Sequence, residues 1–265
     1  MLPFKKILFP VDFSEHSIGA ARYVEAFAGR FDAELTVLNT IELPRYNDLL
    51  PDSPAQRRRH LDSFLAKELE YFRVERVLAE GEPAANIVDL AREGHCDLIM
   101  MPTHGLGGFR RFLLGSIAAK VLHDADCPVW TGVHMAEAPA LEKIVFRNFV
   151  CAVNLDPHSK KVLECAVELA EEYRASLSVV HVVPPGTEDV ESIEWQVKEM
   201  LAPDVDKAKV FVEGGDVAHV IAKFAAEAGA DMLVIGRNPA PGVLGRLRTD
   251  AYSIIRQSPC PVISV

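Results

Sequence analysis

Short apolar runs punctuate the chain at Ile7–Val11, Glu34–Leu38, Val74–Ala79, Leu98–Met101 and Val129–Val133. Five more follow at Phe149–Val153, Leu177–Val182, Lys209–Val212, Met232–Ile235 and Val262–Val265. Between them the apolar positions recur at helical spacing, as in Ile18, Ala21, Val24 and Ala28. Strands alternating with helices predict an α/β fold built on parallel sheets covered on both faces. The first helix should open at Ser14 or Ser17, whose hydroxyls can cap free N–H groups. A charged second helix is predicted over Ala55–Phe72, after a proline-containing connection from Leu43 to Pro54. A third follows Gly81-Glu82-Pro83 and runs to about Glu93, with Pro83 suited to a first turn. A fourth covers Ile117–Ala125.

The pattern occurs twice. Asp12 and His16 are echoed by Asn154 and His158, both at an offset of 142 residues. Gly81-Glu82-Pro83-Ala84 and Asp97-Leu98-Ile99-Met100 are echoed by Gly215-Asp216-Val217-Ala218 and Asp231-Met232-Leu233-Val234, at an offset of 134. The expected organisation is two tandem five-stranded parallel-sheet sandwiches, Rossmann-like with strand order 3-2-1-4-5 and related by a pseudo-twofold axis. Residues 1–133 form the first domain, 134–142 a linker and 143–265 the second domain. The linker contains Ala, Glu and Pro and reads as no sixth element.

Composition narrows the function classes. The chain has 265 residues, 28 Lys and Arg against 38 Asp and Glu, and a net charge of −10. Counted to Val133 the balance is 15 basic to 19 acidic, which leaves 13 to 19 for the rest, so neither half carries the basic footprint of nucleic-acid binding. No stretch approaches the ~18 unbroken apolar residues of a membrane span, and no secretory signal is read at the start. Cys96, Cys127, Cys151, Cys165 and Cys260 are scattered without a Cys-x-x-Cys pair, which suits a reducing cytoplasm.

The candidate chemistry lies after the fourth strand, where Pro102-Thr103-His104-Gly105-Leu106-Gly107-Gly108 leads through Leu113-Leu114-Gly115-Ser116 into a helix. Glycines let a backbone approach phosphate oxygens, and a helix start adds unpaired donors and a partial positive charge. The amides and hydroxyl of Gly115-Ser116 could therefore hold a phosphate without a lysine, with Gly105 as a second contact. The segment is neither a Walker loop nor a dinucleotide fingerprint. In an open parallel sheet ligands sit beyond the strand carboxyl ends at the reversal of winding, which places Asp12 beside Pro102–Gly105.

These residues resemble the universal stress protein family. The landmarks are Pro10-Val11-Asp12-Phe13-Ser14, the Gly81-Glu82-Pro83 turn, the Asp97–Met100 strand, Leu113-Leu114-Gly115-Ser116 and Cys127-Pro128-Val129, and in two copies they cover nearly the whole chain. The resemblance implies a five-stranded parallel sheet and, in many members, ATP or a related nucleotide held by Gly-x2-Gly-x9-Gly-Ser/Thr. Gly105, Gly115 and Ser116 match the last three parts, while Pro102 replaces the first glycine and removes a donor. The implied nucleotide site comprises Pro10, Val11, Asp12, Thr40, Pro102, His104, Gly105, Gly115, Ser116 and Ile117, with Asp12 near the ribose and base and Thr40 on the adenine side. The expected ligand is ATP or another adenine nucleotide, with or without magnesium.

In the second copy Gly236 is kept, Pro239 replaces the next glycine, and Thr249-Asp250 stand where Gly115-Ser116 stood. A carboxylate ~4 Å from a phosphate repels it by on the order of several kcal/mol, so no triphosphate is expected there. His104, Arg110, Arg111, the Arg57-Arg58-Arg59 run and a weak His104–His123–Cys127 metal set are the remaining candidates. No nucleophile elbow or catalytic triad is legible. The leading reading is a nucleotide-binding signalling module whose occupancy is read by a protein partner. Its rivals are a slow ATPase or self-phosphorylating protein using the same pocket, and a nucleotide-free scaffold in which Pro102 has closed the site and the second domain binds some other ligand. The resemblance also implies association through the last strand of each half, here within one chain, with a further homodimer left open.

Overall fold

The computed structural model describes residues 2–41, 53–103, 114–237 and 250–265. His104, Gly105, Arg110, Arg111, the Asn238–Gly242 loop, Thr249 and most of the Leu43–Pro54 connection lie outside them. The first half runs β1 (Lys6–Pro10), α1 (Glu15–Phe31), β2 (Glu34–Ile41), α2 (Pro54–Ser63), β3 (Val74–Glu80), α3 (Pro83–Glu93), β4 (Leu98–Pro102), α4 (Ser116–Asp124) and β5 (Val129–Gly132). The second runs β6 (Asn148–Ala152), α5 (Ser159–Tyr173), β7 (Ser176–Val183), α6 (Val190–Leu201), β8 (Ala208–Gly214), α7 (Val217–Glu227), β9 (Met232–Ile235), α8 (Asp250–Gln257) and β10 (Val262–Ser264).

The strands are parallel, in order β3-β2-β1-β4-β5 in one half and β8-β7-β6-β9-β10 in the other. The expected 3-2-1-4-5 order holds in each. Central strands are buried on both faces: Ile7, Leu8 and Phe9 of β1, all of β4 and all of β9 are shielded from solvent. That is why they read as continuous apolar runs without alternation.

Local devices recur at both offsets. The Asp97 carboxylate accepts from the N–H groups of Lys5 and Lys6 at 2.8 and 2.9 Å, and Asp231 accepts from those of Arg147 and Asn148 at 2.8 and 3.0 Å. Each carboxylate thus ties the approach to a fourth strand to the start of the first. Gly81 and Gly215 have φ of 120° and 147°, a region L side chains avoid, and their N–H groups donate to Ile41 and Val183 at 3.0 Å each.

One expectation differs from the structure. The second helix ends at Ser63, well short of Phe72, because Phe64 turns extended and Leu65 adopts φ 53°. The break lets Phe64, Leu65 and Leu69 bury, and Arg76 from β3 donates to the released carbonyls of Leu61 and Phe64 at 3.0 and 2.9 Å. The segment after β5 forms two 3-10 turns, Met135–Glu137 and Leu141–Lys143. Met135 is buried, its carbonyl lies against Gly19 of α1, and Arg22 donates to the carbonyls of Ala138 and Pro139.

Candidate functional site

In the first half β1 ends at Pro10 and the chain crosses the sheet edge through Val11, Asp12 and Phe13 before α1. Val11 is buried; its N–H donates to Leu38 at 2.8 Å and its carbonyl accepts from the Asn39 side-chain amide at 2.7 Å. Asp12 Oδ1 accepts from the Ser14 N–H at 3.0 Å, the Ser14 hydroxyl at 2.5 Å and the Ser17 hydroxyl at 2.7 Å. Three donors on one oxygen fix the carboxylate, and Ser14 in turn caps α1 by accepting from the Ser17 N–H. Phe13, at φ 66°, stacks on His60 with ring centroids 4.0 Å apart and meets Phe64 edge-on. The Arg57 guanidinium lies 5.5 Å from the centre of the Phe13 ring. One arginine of the Arg57–Arg59 run is therefore committed to the turn after β1. Arg58 instead pairs with Asp62.

Thr40 is a half-buried residue of β2, next to Asn39 and opposite Ala79 of β3. Pro102 closes β4 opposite Gly132 and is buried, and the Thr103 N–H continues the ladder to the Gly132 carbonyl at 2.9 Å. Gly115 precedes α4 with φ −62° and ψ 150°, angles open to any residue, so the backbone conformation does not demand glycine. Its N–H is spent on the Thr103 carbonyl at 2.9 Å. The donors left at this helix start are those of the first turn, beginning at Ser116 and Ile117, both exposed. Among the described residues no side chain caps α4, whereas Ser14, Ser53 and Glu82 cap α1, α2 and α3.

The structure thus describes Pro10, Val11, Asp12, Thr40, Pro102, Gly115, Ser116 and Ile117 at the carboxyl ends of β1, β2 and β4 and the start of α4; His104 and Gly105 are outside the described residues. Sequence reasoning missed Asn39, whose amide oxygen is buried without a hydrogen bond, and the Ser14–Ser17 grip on Asp12. Asx and Ser positions before a helix are a signal that finds the second; the first needs the β1–β2 contact. Among the described residues no three His, Cys, Asp or Glu gather as a metal set, and no helix is long and apolar enough to cross a membrane. His123 Nδ1 faces the Asp124 carboxylate at 2.5 Å.

The second half holds a cavity of about 340 Å3 at the corresponding place. Its walls include Val153, Val162, Val180, Ile221, Ile235 and Ile254, and its polar edge Asn154, Asp156, His158, Ser159 and Asp250. The carboxylate has moved by two positions: Asp156, in the place of Ser14, accepts from the Ser159 N–H and hydroxyl at 2.9 and 3.1 Å. Asn154 replaces Asp12, exposed Leu155 replaces Phe13, and His181 Nδ1 meets the Val153 carbonyl at 2.8 Å where Asn39 meets Val11.

The universal stress protein family model matches residues 3–131 and again 146–265. A universal stress protein of Methanocaldococcus jannaschii is 34% identical over 140 residues, covering 48% of this chain and 80% of that protein. Another, from Thermus aquaticus, is 33% identical over 132 residues, covering 48% of this chain and 96% of that one. A crystal structure of a universal stress protein from Archaeoglobus fulgidus covers 98% of this chain and 96% of its own, with a TM-score of 0.81 at 23% identity, which establishes the shared fold.

Proposed function

The chain belongs to the universal stress protein family as a tandem of two such domains, and on that premise we propose that its first domain, residues 1–133, binds an adenine nucleotide as a signalling module. The observation that carries this reading is the start of α4: three helices of the half cap their own amides, and the fourth, among the described residues, offers the N–H groups of Ser116 and Ile117 with no side-chain cap. Unpaired amides and the helix dipole favour an anion there. Asp12, held rigidly by Ser14 and Ser17, suits a sugar hydroxyl better than a phosphate, and Thr40 lies one strand further out, on the base side. Pro102 supplies shape and no donor, so the phosphate falls to Ser116, Ile117 and the family loop at Gly105 and His104. The nucleotide would bind with or without magnesium; among the described residues no three His, Cys, Asp or Glu gather to hold a metal.

Occupancy would alter the surface after β4 that a protein partner reads. A cytoplasmic setting fits the five free cysteines; burial pushes the Cys165 and Cys260 thiols up to about 12, so they remain unreactive packing groups. The test is to denature purified protein and identify released small molecules, then to titrate ATP, ADP and AMP against the wild type and Gly115→Asp. The reading expects saturable binding that the aspartate weakens at least about 100-fold, equal to ~2.7 kcal/mol. Equal affinity in both proteins, or no binding by the wild type, sinks it. Release of ADP from ATP by the wild type, lost in Asp12→Ala, would reassign the pocket to a slow hydrolase.

A further inference from the structure

We propose that the cavity of the second domain is a separate site for a small, phosphate-free molecule with an apolar body of one or two rings and a protonated amine. At about 340 Å3 it falls within the usual range of small-molecule sites. Six buried aliphatic residues, Val153, Val162, Val180, Ile221, Ile235 and Ile254, form its walls, so the favourable term for an occupant is apolar burial.

The polar edge decides the charge. Among the described residues, Asp156 and Asp250 line the cavity and no Lys or Arg does. The helix start that attracts an anion in the first half is answered here from within, because Asp250 is itself the first residue of α8. His158 donates from Nε2 to the Val265 carbonyl at 3.0 Å, which turns that nitrogen away from an anionic guest. Asp156 is partly engaged with Ser159, so Asp250 is the group assigned to the amine. Val182 at the rim, in the position of Thr40, replaces a hydroxyl with methyl groups and favours a hydrocarbon over a sugar.

The experiment titrates the whole chain with three probes of one shape, 2-phenylethylammonium, 2-phenylethanol and phenylacetate, followed by calorimetry or ligand-observed NMR. The ammonium probe should saturate and bind about five-fold more tightly than phenylacetate, the upper scale of one exposed charge contact. Asp250→Asn, an exposed and isosteric change, should erase that preference while leaving the alcohol unchanged. Val182→Trp should weaken all three. Gly115→Asp should alter none, and ATP should not displace the ammonium probe, so this site and the nucleotide site stand or fall separately. Equal binding of the three probes, no saturable binding of the ammonium, an unchanged preference in Asp250→Asn, or displacement by ATP would each overturn the proposal.

Discussion

The turn after β1 and the turn after β6 are the same piece of backbone put to two uses. In the first, the carboxylate stands at the strand end and the following serine caps the helix; in the second, an amide stands at the strand end and the carboxylate has moved to the capping place. Phe13 is stacked against α2, whereas Leu155 is exposed. Both turns still offer a side-chain acceptor to the N–H three residues on, that of Ser17 in one and Ser159 in the other, so the backbone tolerates either place for the charge. On the two proposals above the ligand does not: a carboxylate two residues along, with Asp250 where Ser116 stood, would reverse the sign of charge that the second half prefers. Duplication has preserved the scaffold's hydrogen bonds while releasing the groups that face a ligand.

The largest expected effect comes from α1. A Cβ on Gly19 would lie 1.7 Å from the Met135 carbonyl oxygen, while Lys161, its counterpart on α5, is exposed. Gly19→Ala should cost about 3 kcal/mol in denaturant unfolding and Lys161→Ala less than about 0.5 kcal/mol. Parity between the two would mean that the 134–144 segment does not rest on α1.

The paired glycines come next. Gly215→Ala should lose about 2 kcal/mol, since φ is 147° and the new methyl meets Val220 at 2.8 Å. Gly81→Ala, with φ 120° and its nearest neighbour at 3.8 Å, should lose about 1 kcal/mol. The capping exchange predicts a smaller change still: Ser14→Ala should cost about 1 kcal/mol, and Ser14→Asp should restore the helix cap yet weaken ATP binding, since it adds a second carboxylate beside Asp12. Thermal unfolding and the ATP titration together read both halves of that expectation.

The pH dependence is the finest test. Burial, then the neighbouring Glu68, raises Glu25 from 4.5 to about 7, with Arg22 opposing and Glu142 adding; the counterpart on α5 is the buried Val167. A carboxyl whose folded pKa exceeds its unfolded value binds more protons when folded, so its contribution is complete below about pH 4.5 and is lost as pH rises to about 7. Stability of the wild type should therefore decline across that window, and Glu25→Gln should flatten the decline. An identical slope in the variant would remove Glu25 from the account.

Much of this architecture was readable because it is local or periodic. The strands show as apolar runs, the Ser14 cap and the glycine turns as short patterns, and the duplication as two constant offsets; each depends on residues near one another in the chain. The candidate site was legible only in its parts. Gly115 reads as a phosphate contact, but its N–H is taken by Thr103, and Asn39 is oriented by Val11 on a neighbouring strand. The charged stretch to Phe72 reads as one helix until Arg76, from a later strand, donates to the carbonyls at its break.

The sequence alone determined the class of fold and its repetition, since propensity and periodicity are properties of the residues themselves. Only the tertiary structure decided which donors stay available, that the segment after β5 lies on Gly19, and that the second half encloses an apolar cavity edged by carboxylates. Those depend on contacts between residues far apart in the chain, and a hydrogen bond or a void exists only once both sides are in place.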